Sequence, residues 1–405
     1  MKKKLIQINV TANWGSTGKI VEAIGLSAIK EDWESYIAYG SASNKSSSKL
    51  LRIGNKANRY FHFLEQRIRD NEGLCSRLET IALIKKIKEI NPDIIHLHNL
   101  HDHYLNYNLL FEYLNTTDIK IVWTFHDCWA FTGHCMHFVT KNCERWKTMC
   151  YDCKMRGEYP KTLFDRCTRN YLLKKRMFSN NRNLTIVTCS NWLKGFVEES
   201  FLKDKQILTI HNGIDLETFQ PSVQKRSKID GIFRIIAVSN VWNKEKGFDD
   251  ILKLRSILSD SYLITIVGLS TDQLKNLPEG IKGIQRTQNA RELAGLYSES
   301  DVLINPTYAD TFPTVNLEAL ACGTPVVTYR TGGSPEAIDD KTGIVINQGD
   351  VTGLANSIIY LNNNPISSKD CRIRAEQLFD KNKCYAAYIK LYNSLIKVSY
   401  NEQIS

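Results

Sequence analysis

Short apolar runs alternate with amphipathic stretches of helical period along this chain. The alternation runs, breaks at a polar stretch, and starts again. Residues 5–10, 35–39, 94–98, 120–125 and 184–188 read as strands in the first half. Helical periodicity lies between them, clearest over 77–90, where Leu78, Ile81, Leu83, Ile84 and Ile87 recur. Strands separated by helices need crossover connections, which make a parallel sheet. The polar break at Asn212 and Gly213 continues into 221–230, rich in Ser, Lys and Gln. Strands then return at 234–238, 263–267, 302–305, 325–329 and 343–346, and 367–398 reads as two closing helices. A chain of 405 residues exceeds one ordinary core and suits two.

The expected domains are 1–211, with an irregular Cys-rich insertion at 128–160, a hinge at 212–230, a second domain at 231–380, and a closing helix over 381–405 that packs back on the first domain. A long insertion without its own period is usually functional or stapled. No internal repeat or low-complexity tract is visible.

A 42% apolar content excludes a disordered chain. The net charge of +10 favours an acidic partner, which a nucleoside diphosphate, a nucleic acid or an anionic membrane surface would satisfy. Lys2, Lys3 and Lys4 resemble the start of a signal peptide, but the apolar run after them is too short and polar Thr11 and Asn13 follow. No apolar run reaches spanning length. A cytoplasmic protein is expected, and its 11 cysteines then argue against a disulfide framework.

The most informative stretch runs from Asn305 to Val327. A strand ends at Asn305, a loop carries Asp310, and a helix is expected to start near Pro313, a favoured first helical residue. Amides at such a start hold phosphate oxygens. Glu318, about one and a half turns in, is placed to accept two hydrogen bonds from a ribose diol. Gly323 ends the helix. An ordinary capped helix with solvated Asp310 and Glu318 fits the same spacing.

The spacing of Asp310 and Glu318, followed by Leu317–Glu318–Ala319–Leu320–Ala321–Cys322–Gly323–Thr324–Pro325–Val326–Val327, resembles the retaining glycosyltransferases of family 4. The resemblance implies the GT-B fold: two Rossmann-like α/β domains with parallel sheets facing across a cleft. It also implies that the acid at Asp310 contacts the donor sugar and Glu318 the ribose. Asp310 stands where Glu is commoner, so its reach is one methylene shorter. His211–Asn212–Gly213–Ile214–Asp215 resembles the family's hinge, and Asn240, Lys244 and Lys246 before Gly247 occupy the place of its diphosphate-neutralising Arg and Lys. Lys246 matches the Lys, while Asn240 stands where Arg is expected. Gly15 and Ser16 lie in a loop that fails the P-loop pattern but resembles the family's first glycine-rich loop. His126, ending the strand at 120–125 and followed by Asp127, matches the family's His beside the reacting sugar. Thr311, Phe312, Pro313 and Thr314 join the donor-binding set. His98 and Asn99 are candidates to line the acceptor side, while most of the cluster His96, His98, His101 and His103 is expected at the surface or in packing.

Cys135, Cys143, Cys150 and Cys153 follow C-x7-C-x6-C-x2-C. Four thiols with a terminal C-x2-C suit a tetrahedral structural zinc, with His134 or His137 as a substitute ligand. Reduced thiols packed as small apolar side chains are the second reading, and disulfides in an oxidising compartment the third. The surrounding segment resembles the colanic-acid and O-antigen type of family 4 enzyme.

The implied reaction is transfer of a sugar, with retention, from a nucleotide diphosphate sugar to a glycan hydroxyl, with the acceptor on a lipid diphosphate at the cytosolic membrane face. The resemblance to this fold implies no catalytic divalent metal, and no Asp-x-Asp motif is present. A GT-B epimerase or phosphorylase and a non-catalytic sugar-binding protein are the competing readings. A zinc-containing nucleic-acid binder is a further one, disfavoured because the basic residues are spread along the chain and no basic recognition helix accompanies the cysteines.

Overall fold

The computed structural model describes residues 2–222 and 231–402, so positions 223–230 of the expected hinge lie outside the described residues. The chain divides into two units, 1–211 with 385–405, and 212–384. Each is a parallel sheet covered by helices.

The first unit's strands are β1 (Lys4–Asn9), β2 (Glu34–Tyr39), β3 (Lys49–Arg52), β4 (Ile94–Leu97), β5 (Lys120–Phe125), β6 (Leu184–Thr188) and β7 (Gln206–Thr209). They pair in the order β3-β2-β1-β4-β5-β6-β7. Strands β4 and β6 are buried throughout and mostly apolar, as a sheet covered on both faces requires. The helices are α1 (Gly15–Lys30), α2 (Lys56–Arg69), α3 (Arg77–Ile90), α4 (Tyr107–Leu114), α5 (Cys167–Ser179) and α6 (Asn191–Glu199).

The second unit carries β8 (Phe233–Val238), β9 (Tyr262–Val267), β10 (Ile281–Ile284), β11 (Val302–Asn305), β12 (Val326–Tyr329) and β13 (Gly343–Ile346), ordered β10-β9-β8-β11-β12-β13. Its helices are α7 (Phe248–Ile257), α8 (Thr271–Lys275), α9 (Ala290–Ser298), α10 (Thr314–Ala321), α11 (Val351–Asn363) and α12 (Ser368–Leu378). Its core joins Ile235, Ile264 and Val302 on the sheet to Ile251, Leu254 and Ile358 on helices. Gly213 lies so close to Lys381 that a Cβ would stand 2.4 Å from its Cα.

The last helix, α13 (Lys381–Glu402), belongs to the first unit from Tyr385 onward. There the Tyr392 hydroxyl lies 2.6 Å from His96 Nδ1, and Trp33 packs on the Tyr392 ring at 5.7 Å.

Strand order reverses between β1 and β4 in one unit and between β8 and β11 in the other. At such a point two loops leave the sheet in opposite directions and open a crevice at the strand C-termini, where ligands of open α/β sheets bind. The loops after β1, β4, β8 and β11, with the one after neighbouring β5, carry the candidate residues.

Candidate active site

In the second unit, the loop after β11 is pinned to the loop after β8. The Tyr308 amide and the Thr307 hydroxyl donate to the Glu245 carbonyl at 2.7 and 3.3 Å. Glu245 sits in a 3-10 turn, Lys244–Lys246, capped by Asn243, whose Oδ1 accepts from the Lys246 amide at 3.0 Å. This pinning brings Lys246 Nζ to 2.8 Å from Asp310 Oδ2. Two residues 64 positions apart in sequence thus meet as an ion pair. Asn240 and Lys244 stand exposed on the same stretch.

Asp310 Oδ1 accepts from the Phe312 amide at 3.3 Å. The Gly333 amide donates to the Thr311 carbonyl at 3.1 Å. Gly332 presses on the same loop: its φ is +56°, and a Cβ would lie 1.6 Å from the Asp310 carbonyl oxygen. Only glycine meets both constraints. Helix α10 begins at Thr314, with Pro313 as the extended residue before it instead of its first helical residue, and no side chain caps it. Of its first-turn amides, Asn316 donates to the Pro313 carbonyl at 3.3 Å, while those of Thr314 and Val315 come too early for a carbonyl of the helix, and the helix dipole makes this end attractive to an anion.

Glu318 Oε2 accepts from the hydroxyl of fully buried Tyr297 at 2.8 Å, which orients the carboxylate. Asn316 Oδ1 accepts from Asn305 Nδ2 at 2.9 Å. Asn316 Nδ2 and Ser334 Oγ are both buried without a hydrogen-bond partner among the described residues. Such groups are rare, and each costs about 1–3 kcal/mol unless a ligand or water satisfies it. Tyr297, Gly332, Asn316 and Ser334 escaped the sequence reading because nothing in their local pattern links them to Asp310.

In the first unit, Gly15 opens α1 with φ +68° in open space, and Ser16 follows it, exposed. Gly18 is needed for closeness, since a Cβ there would stand 2.5 Å from Thr11 Oγ1. The histidine cluster is packed inside, the second of the two expected placements: His96, His98, His101 and His103 are all at most 7% exposed.

A chain of hydrogen bonds determines where His126 carries its proton. Gln7 Nε2 donates to the Val21 carbonyl at 2.9 Å, so Gln7 presents its oxygen to His98 Nε2 at 3.3 Å. His98 must donate there, which leaves its Nδ1 as an acceptor. His126 Nε2, 3.2 Å from that Nδ1, must then be the donor. Neutral His126 therefore holds its proton on Nε2 and offers Nδ1 as an acceptor. Burial keeps it neutral, pushing its pKa down to about 4. Gln7 was not foreseen because it sits on a strand otherwise read as core.

Asp127 pairs with His101 at 2.9 Å and accepts from the Trp129 amide at 2.8 Å. Burial would raise its pKa, but His101 and that amide bring it to about 2. The following turn is held by Lys174, whose buried Nζ donates to the Trp129 and Thr132 carbonyls at 2.7 and 3.1 Å. Burial lowers its pKa to about 7.

These histidines set an acid limit on stability. Burial lowers His62 to about 3 and His126 to about 4, and also lowers His96 and His98. Between the folded values and the unfolded value near 6.5, the unfolded chain binds more protons, so stability falls as pH drops. Each group contributes a slope of up to about 1.4 kcal/mol per pH unit. His101 and His134, raised by carboxylate partners against the effect of burial, do not lose stability in this window. Urea unfolding followed from pH 7.5 to 4.5 should show a progressive loss below about 6.5. A flat profile would contradict the buried neutral cluster.

The Cys-rich insertion is built on aromatic packing. Phe138 stacks on Trp146 at 4.8 Å, and Phe131 and Phe196 meet the same indole edge-on. Cys135, Cys143, Cys150 and Cys153 line one pocket with His134 and Cys167. All are free thiols. Among the described residues, however, no group of three or more His, Cys, Asp or Glu side chains is arranged to hold a metal ion. The zinc expected at these four cysteines is thus not supported. Two of the thiols take protein partners: Cys150 Sγ accepts from the Gly133 amide at 3.2 Å, and a hydrogen bond from Cys167 pulls the Cys153 pKa down.

Comparison with known proteins follows this division. Residues 57–218 match the family described as Glycosyltransferase Family 4, and residues 232–364 match Glycosyl transferases group 1. The putative colanic acid biosynthesis glycosyl transferase WcaC of Escherichia coli is 24% identical over 281 residues, 65% of this chain and 66% of that protein, a little under two thirds of its length. Sucrose-phosphate synthase from Thermosynechococcus elongatus superposes with a TM-score of 0.75 at 16% identity, over 98% of this chain and 100% of that one. HepE from Anabaena, solved with UDP, gives 0.68 at 12% identity, over 97% and 100%. At such identities the structural likeness speaks for the fold.

Proposed function

For a chain that belongs to the GT-B glycosyltransferases through its family 4 and group 1 segments, we propose that it moves a sugar from a nucleotide diphosphate sugar to a glycan hydroxyl, with retention of configuration. The observation that carries this reading is the meeting of Lys246 and Asp310 beside the uncapped start of α10, the helix that carries the Tyr297-oriented Glu318.

A leaving diphosphate needs fixed positive charge where its own charge grows. Lys246 and the first-turn amides of α10 supply it. Asn316 Nδ2 and Ser334 Oγ, both buried, add two donors suited to phosphate or hydroxyl oxygens. Glu318 accepts from the ribose diol. Asp310, released from Lys246 when the lysine turns to phosphate, takes the sugar's hydroxyls. Gly15 and Ser16 offer a second helix start to anionic groups, and His126 offers its Nδ1 lone pair to a hydroxyl. The departing phosphate oxygen takes the acceptor's proton in a front-face displacement.

The likeness to WcaC supports bacterial surface polysaccharide as the setting, with a lipid-diphosphate-linked acceptor met at the cytosolic face. UDP in HepE supports a nucleotide donor. No helix among the described residues is long and apolar enough to cross a membrane, so the contact proposed is peripheral.

The test is ligand stabilisation followed by turnover. UDP at about 100 times its Kd should stabilise the protein by about 2.7 kcal/mol. Lys246→Ala should remove most of this. Nucleotide release from UDP-sugars should depend on added acceptor. UDP, GDP and ADP all leaving the melting curve unmoved, or release indifferent to acceptor, would count against a transferase and for the epimerase or sugar-binding readings.

A further inference from the structure

Helix α2 (Lys56–Arg69) faces the wrong way for a helix of a soluble fold. The residues it buries are polar: His62 is 0% and Gln66 2% exposed. Tyr60, Leu64 and Ile68, four residues apart along one stripe, are 64%, 38% and 43% exposed, with Phe61 and Phe63 flanking them at 58% and 41%. Its orientation is fixed by the buried side. His62 Nδ1 lies 2.9 Å from Ser76 Oγ, and its Nε2 accepts from the Gly73 amide at 3.1 Å. Gln66 Nε2 donates to the Lys161 carbonyl at 3.0 Å. Rolling the helix to hide its apolar stripe would break these buried bonds.

The patch extends beyond the helix. The amides of Leu163 and Phe164 donate to the Arg67 and Ile68 carbonyls at 2.9 and 3.1 Å, which closes the end of α2. Both side chains then point outward, 69% and 61% exposed. Leu163 and Phe164 lie just beyond the Cys-rich insertion at 128–160 and supply this extension. Exposed Lys56, Arg67 and Lys161 border the apolar residues.

We propose that this surface docks the protein on an anionic lipid bilayer. Aromatic and aliphatic side chains on one face, edged by cations, suit burial at the headgroup boundary with charge attraction beneath it. A second copy of the chain fits less well, because a two-fold contact would bring two sets of Lys56, Arg67 and Lys161 into one interface with no acid among the patch residues to offset them. This deepens one part of the reading above, the peripheral location, and does not rest on the transfer chemistry.

The test uses the full-length protein and vesicles of equal parts phosphatidylglycerol and phosphatidylcholine, with pure phosphatidylcholine as the neutral control. Sedimentation with vesicles should show binding to the anionic set that falls at least about tenfold in Phe61→Ser/Leu64→Ser and about fivefold or more in Lys56→Glu/Arg67→Glu. Raising salt should weaken it. All four positions are exposed, so melting curves and UDP stabilisation should stay at the parental values. These controls separate a failure of docking from a failure of the donor site. Equal binding by parent and variants would overturn the assignment. So would parental protein that ignores the vesicles but self-associates until Phe61→Ser/Leu64→Ser makes it monomeric, which would assign the patch to a second copy.

Discussion

Replacing Glu318 with alanine is expected to lower kcat/KM for the donor by about 100-fold or more, since in the proposed function it removes two charge-assisted hydrogen bonds to a ribose diol. The substitution also strips the Tyr297 hydroxyl of the carboxylate it meets at 2.8 Å. That orphaned hydroxyl could harm the fold and imitate a binding defect. Tyr297→Phe added to Glu318→Ala separates the two effects. The double variant should recover stability and remain inactive. Recovery of activity along with stability would reduce Glu318 to a packing partner of Tyr297.

The second large effect is expected at Gly332. An alanine there must adopt φ near +56° with its Cβ 1.6 Å from the Asp310 carbonyl oxygen, so backbone has to move. The moved segment carries Asp310 and leads to α10. A loss on the order of 3 kcal/mol in stability is expected, with turnover falling at least about tenfold in whatever protein folds. Gly15 provides the comparison. It also has positive φ, +68°, but a Cβ would meet nothing within 4 Å. Gly15→Ala should therefore cost only about 1 kcal/mol, the conformational penalty alone. Equal destabilisation at the two sites would mean that crowding against Asp310 is not what demands glycine at 332.

Much of the fold was legible because burial on both faces of a sheet leaves a local mark. The strand at 120–125 and the helix at 77–90 coincide with β5 and α3 as read. The strands that went unread, β3, β7 and β10, lie at sheet edges, where few or no residues are fully buried and the apolar run is too weak to stand out. The inverted α2 was equally hidden. Its apolar stripe has helical period whether it faces the core or solvent.

The candidate site divides the same way. Asp310, Glu318, Lys246 and His126 could be named from the chain because the family motifs they resemble are local patterns at helix starts and strand ends. That Lys246 pairs with Asp310, that Tyr297 orients Glu318, that Gly332 closes on Asp310 and that Gln7 dictates the proton of His126 are contacts between distant segments. The cysteines make the same point from the other side. Their spacing suited a metal, and only three-dimensional placement could show four thiols lining a pocket without the geometry to hold one. By itself the sequence determined an α/β protein in two parts with acids, cations and a histidine at strand and helix ends, because backbone periodicity and turn chemistry act over a few residues. Only the tertiary structure decided which of those groups meet, how they are charged and which face is left apolar, because desolvation and hydrogen-bond partners are set by segments far apart in the chain.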